Sequence, residues 1–75
     1  MVSEKIGQLI NTQINQEFYS AYLYLSFADF FVEKGLKGFA NWYQVQTQEE
    51  RDHALLFLQY LQNNNCPAVF EAVEK

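Results

Sequence analysis

The 75-residue sequence has little of several things: one cysteine, one proline, three glycines, and five lysine or arginine residues against nine carboxylates. A lone cysteine, Cys66, excludes an internal disulfide and leaves no thiolate cluster for zinc, so a reducing, cytoplasmic setting is expected. The few cations are scattered, and with a net charge of -4 they form no basic stripe for phosphates or for an anionic membrane surface. Nucleic acid and membrane are therefore not expected as partners, whereas cations are. Met1-Val2-Ser3-Glu4-Lys5 lacks the basic start and apolar run of a secretory signal. No stretch stays apolar long enough to span a bilayer, because Glu17, Ser20, Ser26, Asp29 and Glu33 interrupt the most hydrophobic region.

What is present is apolar and aromatic side chains, 49% hydrophobic and 17% aromatic, which is the composition of a folded core. A largely apolar stripe runs by steps of three or four through Ile6, Ile10, Ile14 or Gln13, Glu17, Ala21, Tyr24, Ala28 and Phe31, predicting a helix over about 3–34 with Ser3 as N-cap. Lys34-Gly35-Leu36-Lys37-Gly38 supplies a cation and a helix-ending glycine, so the turn is placed at 35–38. A second run through Phe39, Trp42 or Tyr43, Gln46, Glu50, His53, Phe57 and Tyr60 or Leu61 predicts a helix over about 39–63, ended by Asn63-Asn64-Asn65. Pro67 suits a helical first turn, predicting a short tail helix over about 67–75. The expected architecture is all-α: a single-domain antiparallel hairpin over 1–75.

Three polar residues lie on the apolar stripes: Glu17 on the first helix, and Glu50 with His53 at i, i+3 on the second. An unpaired carboxylate there would cost several kcal/mol on desolvation. Counted from Gly35 at about 1.5 Å per residue, Glu17, Glu50 and His53 lie about 27, 23 and 27 Å from the turn, so they share one layer. Two carboxylates and an imidazole suit iron or manganese and can take zinc. One hairpin gives half the set of a two-metal bundle site, which takes a Glu from each of two helices and a Glu-x-x-His from each of the other two. Two copies related by a twofold axis complete it, which implies a homodimer or a higher homo-oligomer. Phe18–Phe27, apolar or aromatic nearly all round, must also be covered on every side.

The run Ile14-Asn15-Gln16-Glu17-Phe18-Tyr19-Ser20-Ala21-Tyr22-Leu23-Tyr24-Leu25, together with Glu49-Glu50-Arg51-Asp52-His53-Ala54, resembles the first two helices of prokaryotic non-haem ferritins, over about residues 3–65. The resemblance implies a ferritin-like four-helix bundle, here built from two hairpins. It implies terminal iron ligation by Glu17 and His53, bridging by Glu50, a tyrosine beside the centre in Tyr24, and a third-iron ligand in Glu49. The family's remaining ligands lie on two further long helices beyond this sequence. The resemblance therefore implies a truncated or engineered half-ferritin, or a natural single-hairpin relative, and does not by itself extend to the family's hollow cage. Ala68–Lys75 is similar to the opening of the family's third helix without the long crossover before it.

The function expected is a ferroxidase: two Fe(II) per dimer oxidised by dioxygen, related to iron storage. Ligation needs neutral imidazole, so binding should weaken as pH falls below the histidine range. The alternative is a non-catalytic dimerisation module in which Glu17, Glu50 and His53 hydrogen-bond one another and only set register. A rubrerythrin-like peroxide reductase finds no support without Cys-x-x-Cys pairs. Cys66 beside Pro67 could be exposed enough to form an intermolecular disulfide.

Overall fold

Ser3 opens the first helix as expected, its hydroxyl accepting the Ile6 backbone N–H at 3.2 Å. In the computed structural model, which describes residues 3–72, helix α1 runs Glu4–Glu33 and helix α2 runs Lys37–Asn63. Both helices end by the same device. Gly35 takes φ +73°, the Leu36 N–H donates to the Phe31 carbonyl at 2.9 Å, and the Gly35 N–H donates to Val32 at 3.0 Å. At the end of α2, Asn65 takes φ +54°, the Cys66 N–H donates to Leu61 at 2.9 Å, and the Asn65 N–H donates to Gln62 at 3.2 Å. Because this motif reverses the chain so tightly, α2 begins at Lys37 and Gly38 lies inside it, so the turn is shorter than the expected 35–38.

Across the hairpin, aromatic neighbours fall in number on one helix as they rise on the other, Tyr24 with Tyr43 and Phe31 with Phe39, so the helices are antiparallel. The buried residues of α1 are Gly7, Ile14, Ala21 and Ala28, spaced seven apart, and those of α2 are Ala40, Ala54 and Leu61, fourteen and seven apart. A seven-residue period keeps the seam facing its partner only if the helices wind gently around each other. Small side chains dominate the seam and let the backbones approach closely. Ile14, Ala54 and Leu61 form its buried cluster, with Ile10, Phe18, Phe57 and Leu58 against it. The Cα atoms span 49 × 22 × 13 Å, a plank one helix thick, so both broad faces are open. Along Phe18–Phe27 the side chains of Tyr19, Tyr22, Leu23, Leu25 and Phe27 remain exposed in the single chain.

The expected tail helix does not form over residues 67–72, and residues 73–75 lie outside the described residues. The chain instead runs without helix along α1, Cys66 lying against Gly7 and Val69 and Glu71 hydrogen-bonded to Asn11 and Asn15. The Val69 N–H and carbonyl and the Glu71 N–H are satisfied by these side chains in place of helical partners. Cys66 packs on the Ile14–Ala54–Leu61 cluster, half-buried, and so serves as a core residue. A Cβ on Gly7 would meet the Cys66 Sγ at 2.5 Å. Gly7→Ala should therefore destabilise the chain by about 1–3 kcal/mol despite the better helix former. In a Cys66→Ala background the same change should become neutral or stabilising; urea unfolding of the four proteins of the cycle checks this.

Candidate metal centre

Glu17 sits on the flank of α1 next to the Ile14–Ala21 seam, and Glu50 and His53 on the facing flank of α2 next to Ala54. The antiparallel register brings one donor atom from each of the three to within 4.8 Å of the others. The shared height read from residue counting thus holds in three dimensions. The Glu17 carboxylate is 13% exposed and His53 54% exposed. The difference follows from position: Glu17 lies near the seam, whereas His53 is turned toward the open face.

The Gln13 amide donates to Glu17 Oε1 at 2.9 Å, one helical turn away, and fixes the carboxylate. This i, i+4 amide–carboxylate pair was a signal available in the sequence, and reading Glu17 as a lone buried charge overlooked it. The second oxygen, Oε2, is 3.9 Å from His53 Nδ1. That separation is too long for a hydrogen bond. It matches two donors that share one ion at bond lengths of about 2.1 Å, which stand about 3–4 Å apart. The direct Glu–His hydrogen bond demanded by a purely structural polar layer is not formed.

The other two candidate residues lie apart from this group. Tyr24 is one heptad along α1 from Glu17, half-buried, with its ring 5.8 Å from that of Tyr43. Tyr43, one heptad before Glu50, stacks on Phe31 at 5.6 Å and meets Phe27 at 5.3 Å and Trp42 at 4.9 Å. Tyr43 is thus the centre of an aromatic layer between the donors and the turn. Glu49 is exposed and outside the donor group. Among the described residues no helix is long and apolar enough to cross a membrane.

Comparison with known proteins places these features in a family. Over 61 residues the chain is 44% identical to a bacterial non-heme ferritin of Bacteroides fragilis, covering 81% of this chain and 38% of that protein. An open-pore ferritin of the archaeon Archaeoglobus fulgidus superposes with a TM-score of 0.93 at 47% identity, covering all of this chain and 46% of the other. A PmFTN variant soaked in iron superposes with a TM-score of 0.90 at 34% identity, over 97% and 46% of the two chains. The chain thus spans less than half the length of these relatives, and the part they share is the hairpin carrying Glu17, Glu50 and His53. The ferritin-like domain matches residues 7–75, and the chain belongs to the ferritin family.

Proposed function

We propose that two copies of this hairpin bind a pair of Fe(II) ions as substrate and oxidise them with dioxygen. The observation that carries the reading is the convergence of Glu17, Glu50 and His53 within 4.8 Å on an open face, with Glu17 and His53 held apart at a cation-sized gap. Glu17 and His53 of each chain would hold one ion, and the two Glu50 carboxylates would bridge the pair. Four carboxylates offset the four positive charges of two Fe(II). Dioxygen would take one electron from each Fe(II) and, with two protons, leave as hydrogen peroxide, the site keeping two ferric ions. The similarity to non-heme ferritins and to a variant soaked in iron favours iron as cargo, and with it a role in iron storage. The same donors accept Mn(II) or Zn(II) as substitutes.

The chain's own residues do three things here. Gln13 holds the Glu17 carboxylate in place before any ion arrives, lowering the ordering cost of binding. Tyr24 and Tyr43, their rings 5.8 Å apart, pack the two helices together one heptad toward the turn from the donors. The exposed half of His53 and the exposed Phe27, Phe39, Trp42 and Tyr60 on its face would be covered by the second copy.

Melting followed with and without metal tests the reading, read beside solution mass. At Fe(II) or Zn(II) one hundred times Kd, linkage adds about 2.7 kcal/mol. For a chain of this size that raises Tm by about 10–20 °C. The mass should be that of two or more chains, and a chelator should reverse the shift. A melting temperature indifferent to metal and chelator would return the hairpin to a register-setting dimerisation module.

A further inference from the structure

The two carboxylates of the donor group are not equally free. Glu17 Oε1 accepts the Gln13 amide at 2.9 Å, and Oε2 is the oxygen that faces His53 Nδ1 at 3.9 Å. Glu50 accepts no hydrogen bond among the described residues, so both of its oxygens stay open. The Gln13 contact follows from helix geometry: a helical side chain leans toward the N-terminus, so Glu17 lies over the turn that carries Gln13. An ionised carboxylate can only accept, so it is the amide nitrogen that Gln13 turns to Glu17. With 13% of its side chain exposed, Glu17 has little water to replace this donor. A hydrogen bond to a charged oxygen is also among the strong ones.

An ion lying between Glu17 and His53 therefore meets Oε2. To bring Oε1 onto the same ion the carboxylate must turn away from Gln13 and give up that bond, which biases Glu17 about ten- to a hundredfold toward ligation through one oxygen. The bias matters differently to different ions. Zn(II) is satisfied by four donors at about 2.0–2.2 Å. Ca(II) takes about 6–8 oxygens at about 2.3–2.6 Å and draws on both oxygens of a carboxylate to reach that number. In the paired arrangement proposed above, one oxygen from Glu17, one nitrogen from His53 and one oxygen from each of two Glu50 side chains give four donors per ion.

We propose that Gln13 is a positioning residue that sets the metal specificity of the site: by occupying Glu17 Oε1 it limits Glu17 to one oxygen, and so turns the site against Ca(II) and toward transition-metal ions such as Zn(II) and Fe(II). The inference rests on the reading under Proposed function that the cluster binds divalent ions. The imidazole of His53 also disfavours Ca(II). His53 is the same in every variant compared below, so a change in preference isolates Gln13.

Isothermal titration of wild type, Gln13→Ala and Gln13→Met with Zn(II), and displacement of that Zn(II) by Ca(II), tests the inference. Methionine keeps the length of the side chain and removes the donor. Both replacements are good helix formers, so helix content by circular dichroism should stay at the wild-type level. Zn(II) affinity should fall about tenfold in both variants while Ca(II) affinity holds or rises, so the preference for Zn(II) over Ca(II) drops at least about tenfold. A side chain that merely anchors Glu17 would weaken both ions alike on removal; an unchanged preference overturns the inference and leaves the metal site standing. A preference that drops in Gln13→Ala but not in Gln13→Met traces to lost packing and overturns it as well. Wild type that binds neither ion overturns the metal reading itself, and this inference with it.

Discussion

Mixed with Fe(II) in air, wild-type protein should develop ferric absorbance at a rate that Glu50→Ala lowers at least about 100-fold. The size follows from where Glu50 sits. Loss of outer residues that merely orient metal ligands costs about 10–100-fold. Glu50 itself belongs to the donor group, and in a twofold pair its loss removes both bridging carboxylates at once. Two negative charges then face four positive ones, and the charge balance that favours a pair of ions over one is gone. Gln13→Ala should be milder, weakening metal affinity about tenfold, because the carboxylate remains and only its amide anchor at 2.9 Å is removed. Equal oxidation rates for wild type and Glu50→Ala would sink the ferroxidase reading.

Ile14→Ala should cost about 2–5 kcal/mol in urea unfolding, followed by helix signal. Ile14 is fully buried, and with Leu61 it is one of the two largest side chains wholly enclosed among the described residues. Leu61, Ile10, Phe18, Phe57 and Leu58 pack against the Ile14 cluster, so its truncation removes contacts with several large side chains at once. A chain of this length has a total stability of about 4–11 kcal/mol, and the loss would take a large part of it. Tyr22→Ala, which truncates an exposed side chain outside the seam, should cost well under half as much. Equal losses at the two sites would show that the Ile14 cluster is not the centre of the fold.

These outcomes rest on features that were legible to different degrees. Ser3, Gly35 and the Asn63-Asn64-Asn65 run marked the helix ends because capping is local chemistry. The common height of Glu17, Glu50 and His53 was legible because a helix has a fixed rise, so counting from the turn measures distance. The seam was legible only in part. Ile6 belongs to the apolar stripe but stands exposed, because burial follows the seven-residue spacing of Gly7, Ile14, Ala21 and Ala28 and not every apolar step of three or four. The comparisons then tie the same hairpin to the ferritin family and leave the pairing of two copies as the proposal to test.

The tail shows the boundary between the two kinds of knowledge. Pro67 and the apolar run after it satisfy the rules for a helix start, yet the chain there is strapped to Asn11 and Asn15, residues 54 to 58 positions away. By itself the sequence determined two helices, their ends and the layer of donors, since helical hydrogen bonds and rise are set within a few residues. Only the tertiary structure decided the course of residues 66–72, the packing of Cys66 on Gly7 and the exposed aspect of His53. Each of these depends on which distant groups the close approach of two helices leaves within reach.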